Sequence, residues 1–356
     1  MNQLSGQRNG VLDAAKGIGI LLVVFAHINF IEPWQTIIYG FHMPLFYIIS
    51  GMLFRREKYP SFGAFFKRRF RTLILPYLLF AFISLAYTSV LFLLRSVQSA
   101  DEDVSSLFSY FIQIFIAQQS GKVCNAPLWF VPNLFLIECI YYFLSGIRSK
   151  PLHWLIILVL VAVGWFTESA YCRVDFSVLP WNFSSALFSL GFYAIGNHFA
   201  RILLDPIPPL NGRSPILYRL LVFALCFAIE VPLALYNGHV TVGSRVLNNG
   251  FVFYATGILG SLGILSLAAL LQKNRFFTFC GRTSFYIMAT HKLFISILFT
   301  IMKILFSYPM KESHYIWGES LIVYVIVTAL CVAFSYFYLK LKERSKAKRQ
   351  ARPAGA

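Results

Sequence analysis

Long apolar runs separated by short polar, mostly basic segments dominate this chain. Runs at 12–30, 38–54, 73–94, 128–147, 152–168, 181–203, 217–236, 251–271, 285–306 and 318–340 come close to or reach the length a helix needs to cross a bilayer core, about 20 residues. The pattern predicts an all-α integral membrane protein, a bundle of about ten transmembrane helices. A shorter apolar stretch, SSLFSYFIQIFIAQQ (105–119), suits an interfacial or re-entrant helix roofing an outward-facing cavity. The segment 55–72 reads as a basic connection. The segment 95–127 reads as a loop on the opposite side, carrying Asp101, Glu102 and Asp103 near its start.

Composition agrees with that pattern: 58% of residues are hydrophobic, 13% are charged, and the mean hydropathy is +0.67. Charge then sets the orientation. Lysine and arginine accumulate in cytoplasmic loops, and most of the 31 here fall on alternate segments, densest at Arg55–Arg71 and in the tail from Lys340 to Arg352. Arg95, Lys122, Arg173, Arg245, Lys303 and Lys311 fall on the other side, and Lys292 lies within a span. Both termini are therefore expected in the cytoplasm. The net charge of +17 reflects topology and not nucleic-acid binding.

No cleavable signal peptide is visible, and residues 1–344 read as a single transmembrane domain followed by a basic, disordered tail at 345–356. The six cysteines are scattered singly, with no CxxC or Cys/His metal spacing, so no metal site is indicated. Cys124 and Cys172 fall in outer loops and are either a disulfide pair of an oxidising compartment or two unpaired small hydrophobes.

Lys16 and His27 change the picture. Both lie in the first apolar run, VLDAAKGIGILLVVFAHIN, where a charge at bilayer depth costs about 2.5–3.5 kcal/mol. Eleven helical positions make three turns plus about 20°, so the two side chains share one face, about 16 Å apart along the axis. Glu138 lies near the middle of the fourth run, where an unpaired carboxylate would be neutral or bound to a partner. Lys16, His291, or a hydroxyl from Tyr141 or Tyr142 are the candidate partners.

Five segments in order resemble the membrane-bound acyltransferase-3 family, most closely its branch of fucose 4-O-acetylases and other sugar O-acetyltransferases. LDAAKGIGILLVVFAH resembles the family's opening helix, in which an arginine and a histidine are ten residues apart, with Lys16 in the arginine position. FHMPLFYIISGMLF resembles the second helix with its Ser-Gly pair, here Ser50 and Gly51. FFKRRFRTLILPYLLF fits the basic start of the third through Arg69, Arg71 and Pro76. PLWFVPNLFLIE, with Trp129, and GRTSFYIMATH, with Ser284 and His291, are weaker matches. The chain departs from the pattern in two places: lysine replaces arginine at Lys16, and Leu134 stands where many relatives carry a glutamate, with Glu138 one turn deeper.

The resemblance implies an acetyl-CoA-dependent O-acetyltransferase of the bacterial inner membrane, acting on a hydroxyl of a cell-surface or exported glycan or its lipid-linked precursor. A sugar hydroxyl is a poor nucleophile, and imidazole is unprotonated near neutral pH, so His27 is the candidate base, or an acyl-carrying nucleophile. A histidine hydrogen-bonded to a neighbouring helix is the plain alternative. His42 orients His27, binds the acceptor, or is an interfacial histidine without a task. Lys16, Arg68, Arg69 and Arg71, with His291, are the candidate donor-binding residues. The arginines also have a purely topogenic explanation. Glu138 is a candidate proton shuttle or a structural hydrogen-bonding group. Two other readings stay open: a succinyl or other acyl donor on the same fold, and a polytopic glycan exporter.

Overall fold

A computed structural model of the chain describes residues 9–28, 33–96, 105–118, 124–168, 179–204, 215–244, 246–306 and 317–350. These contain helices α1 (Gly10–Ala26), α2 (Trp34–Leu53), α3 (Phe62–Arg69), α4 (Leu75–Ser96), α5 (Ser105–Ile116), α6 (Phe130–Leu144) and α7 (Lys150–Glu168). They continue with α8 (Phe183–His198), α9 (Ala200–Leu204), α10 (Pro215–Asn237), α11 (Gly250–Leu271), α12 (Arg275–Arg282), α13 (Ser284–Phe306) and α14 (Trp317–Gln350). Among the described residues the only extended pairing is an isolated bridge between Thr241 and Val246.

Helices occupy all ten apolar runs, and among the described residues eight are long and apolar enough to cross a membrane. The other two, α1 with 17 residues and α8 with 16, are shorter and bury most of their side chains among neighbouring helices. The segment 55–72 is less of a loop than its charge suggests. It contains α3, and a π-helical turn at Phe70–Ile74 carries that helix directly into α4. Phe62, Phe65 and Phe66 supply the apolar face, packing on Tyr142, Phe143 and Phe135 of α6. The segment between α11 and α13 likewise holds an unexpected helix, α12, capped by the Asn274 side chain. At the other end α14 runs on to Gln350, past the point at which a disordered tail was expected, through lysine, arginine, alanine and glutamine, all good helix formers. Cys172, one member of the candidate cysteine pair, and Asp101, Glu102 and Asp103 lie outside the described residues.

The bundle is built around α1. The Asn9 side chain caps its start, accepting from the Val11 and Leu12 amides at 2.9 and 3.3 Å. It packs against α2, α11, α12 and α13, while α7 and α10 lie outside α8 and α11. Close backbone approach makes this packing possible: a Cβ at Gly17 would fall on the Phe277 carbonyl of α12, and one at Gly281 on the Asp13 carbonyl of α1. Small residues give membrane helices the close van der Waals contact that the hydrophobic effect does not supply within lipid. Gly281→Val is therefore expected to cut the yield of folded, monodisperse protein by at least about tenfold. Gly63→Ala, where the added methyl would come no closer than 3.9 Å to the Ser61 Oγ, leaves it unchanged. Size-exclusion chromatography of detergent extracts reads both, and normal yield for Gly281→Val would contradict the packing argument.

Pro44 sits inside α2 and has no N–H to offer the Gly40 carbonyl one turn earlier. The Thr256 hydroxyl of α11 lies 3.2 Å from that carbonyl and shares its one proton between it and the Phe253 carbonyl at 3.0 Å. The freed acceptor thus has a protein donor within reach, as a membrane interior requires.

Candidate active site

α1 ends at His27, whose Nδ1 lies 2.8 Å from the Val23 carbonyl. A carbonyl oxygen only accepts, so Nδ1 carries the proton and the neutral ring keeps a lone pair on Nε2. The same arrangement occurs twice more. His42 on α2 donates from Nδ1 to the Ile38 carbonyl at 2.8 Å, and His291 on α13 to that of Ile287 at 3.1 Å. Backbone four residues upstream therefore fixes the tautomer of all three rings.

These rings converge. His27 and His291 meet edge to face with centroids 5.0 Å apart, and the buried Nε2 of His291 has no partner among the described residues. Tyr39 stands 6.2 Å from His27, 4.8 Å from His42 and 4.6 Å from His239. His27 and His42 therefore share a chamber with Tyr39 between them. Lys292 donates to the His27 carbonyl at 3.3 Å, satisfying one of the acceptors left over at the end of α1. His291, a candidate donor-binding residue, is set against His27. Among the described residues no group of three or more His, Cys, Asp or Glu side chains is placed to hold a metal ion.

The chamber has a volume of about 190 Å³ and largely apolar walls, with Lys16, His27, Tyr39, His42, Ser50 and Trp129 among its lining. A second chamber of about 250 Å³ is lined by Asp13, Lys16, Arg55 and Lys58 together with apolar side chains. Lys16 belongs to both. Its ammonium lies 3.1 Å from the Asp13 carboxylate, one turn back on the same helix. The lysine thus stands where an apolar space containing the imidazoles adjoins a cationic one.

The remaining predicted residues go elsewhere. The Arg69 guanidinium forks onto both oxygens of the Glu138 carboxylate, which is 1% exposed. Glu138 therefore pairs with neither Lys16 nor His291, and Tyr141 donates instead to Asn197 Oδ1 at 2.9 Å. Neither Glu138 nor Arg69 lines either chamber. Arg68 is exposed and lies over the Tyr59 ring at 5.8 Å, and Arg71 is exposed. Arg55 and Lys58 are the cations that reach the second chamber, whereas Arg56 binds the Tyr142 carbonyl and ring. Helix α5 covers a separate pocket of about 30 Å³ beside Trp129 and does not line the larger chamber.

Sequence reasoning missed Asp13, Tyr39 and His239. Two had a readable signal: Asp13 is one turn from Lys16, and Tyr39 is one turn from His42 on the same face. His239 lies outside the apolar runs and had none. The family profile described as an acyltransferase domain matches residues 9–340, and no curated protein and no solved structure matches the chain significantly. With that profile spanning nearly the whole of a helical bundle that has eight candidate membrane spans, the protein belongs to the acyltransferase-3 family of membrane acyltransferases.

Proposed function

We propose that the protein is an inner-membrane O-acetyltransferase of a bacterium, with ten spans and both termini in the cytoplasm. It moves an acetyl group from cytoplasmic acetyl-CoA to a hydroxyl of a cell-surface or exported glycan, or of its lipid-linked precursor. A kinship with the fucose 4-O-acetylase branch fits this acceptor class. One observation carries the reading: Lys16 is shared by the cationic chamber and by the apolar chamber that His27 lines, with Nδ1 of that ring committed to the Val23 carbonyl.

The residues present fit a coenzyme A thioester. Lys16, Arg55 and Lys58 supply cations for its phosphates, and the apolar walls beyond Lys16 suit the uncharged arm that ends in the thioester. In direct transfer, His27 Nε2 takes the acceptor hydroxyl proton as the oxygen attacks the thioester carbonyl carbon. The C–S bond breaks, and the imidazolium returns its proton to the departing sulfur. The Val23 carbonyl steadies the charged ring through Nδ1. Tyr39 and His42 on the chamber wall are placed to orient the acceptor.

The test is chemical analysis of the surface glycan. Deleting the gene should leave the glycan present but without its esters, and loss of the glycan itself would favour export instead. Lys16→Ala is expected to weaken acetyl-CoA binding by about tenfold, one charge-assisted contact's worth, as read by isothermal titration. Lys16→Arg keeps the charge and recovers most of it. Unaltered binding by Lys16→Ala would remove the lysine from the donor site.

A further inference from the structure

A further cavity lies away from both chambers, on the outside of the bundle where α1, α12 and α14 meet. It is a groove of about 1100 Å³. Its shape follows from the sequence of α14: Ala329 and Ala333, one turn apart, offer only methyl groups, and Val325, Tyr336 and Phe337 rise around them. Phe276 and Phe279 of α12 form the facing wall, and Phe276, Val325, Tyr336 and Phe337 all expose apolar surface.

Charge says what fits such a groove. Arg275 and Arg282 line it, and no Asp or Glu does. They are seven residues apart on α12, which is two turns less about 20°, so both project from one face about 10 Å apart. Both are exposed, and the one hydrogen bond drawn from either, Arg282 Nε to the Thr278 carbonyl at 3.3 Å, leaves the terminal nitrogens free to bind among the described residues. The Lys340 ammonium, 5.7 Å from the Tyr336 ring, adds a third cation beside the groove. An apolar trough on a membrane-spanning helix with guanidinium groups along one wall is complementary to acyl chains joined to a phosphate.

We infer that this groove binds an anionic glycerophospholipid, with its phosphate held by Arg275 and Arg282 and its chains lying over Ala329 and Ala333. The site is independent of the acyl-transfer reaction. Native mass spectrometry of the purified full chain with equimolar phosphatidylglycerol and phosphatidylethanolamine tests it. The wild type should retain phosphatidylglycerol over phosphatidylethanolamine by about tenfold. R275Q/R282Q should lose that preference, while R148Q/R201Q, which removes the same charge from exposed arginines elsewhere, keeps it. Ala333→Trp fills the trough with both arginines in place and should also release the lipid. Equal retention of the two lipids by the wild type, or equal loss of preference in both double variants, would overturn the proposal. So would undiminished binding by Ala333→Trp, or displacement of the lipid by excess inorganic phosphate alone.

Discussion

His27→Ala is expected to lower acyl transfer by roughly 10²–10⁴-fold, the contribution of a positioned general base. The argument rests on the tautomer. With Nδ1 committed to the Val23 carbonyl, Nε2 is the only nitrogen of this ring with a lone pair for the chamber, and alanine removes it. Folding should survive, because the half-buried ring caps the end of α1 and meets the neighbouring helices only through its ring contacts with His291 and Tyr39. Binding of acetyl-CoA should survive too, since Lys16 lies about 16 Å away along the helix and Arg55 and Lys58 line the other chamber. Glycan ester content at matched membrane abundance, with acetyl-CoA titration beside it, separates the outcomes. Wild-type ester levels in this variant would sink the proposed chemistry, and lost donor binding would show that the ring does more than move a proton.

The second large effect concerns stability. Glu138→Ala leaves the Arg69 guanidinium without its counter-charge, a change that costs about 3–5 kcal/mol in fully buried pairs and less here, where the arginine side chain is 28% exposed. A marked fall in the thermal-unfolding midpoint in detergent is the expected reading. The double variant E138L/R69M replaces both charges with apolar groups of similar size and should recover most of that loss. It should also turn over within a few-fold of wild type, because neither residue lines a chamber. A double variant that is folded but inactive would give the carboxylate a chemical task that its position does not suggest.

These two residues also show what could be read from the chain and what could not. Lys16 and His27 were legible because their relation lies within one helix, where a spacing of eleven fixes a shared face whatever surrounds it. The apolar runs were legible for a similar reason: every backbone group in a membrane must be satisfied locally, so hydropathy and helix coincide. The pairing of Glu138 with Arg69 depends on how α6 approaches the π-helical turn at Phe70–Ile74, and local pattern does not carry that relation. A dense run of arginines likewise marks a membrane side without saying which of them turns inward. Arg55 and Lys58 reach a chamber, and Arg68 and Arg71 do not line it. The contact of His291 with His27 was not legible, because residue counting along α13 says nothing of where α1 stops beside it.

The crossing of α1 and α12 has a further consequence. At Gly17 and Gly281 the two backbones are so close that a methyl group on either glycine would overlap the other helix, and α1, which carries both Lys16 and His27, is one uninterrupted helix seated in that contact. The stretch from the ammonium group to the imidazole is then a gauge of fixed span, and on the proposed reading it sorts thioesters by reach. A donor with a shortened arm would leave its carbonyl below the ring however firmly its phosphates were gripped, so selectivity would reside in length before any contact with the acyl group itself.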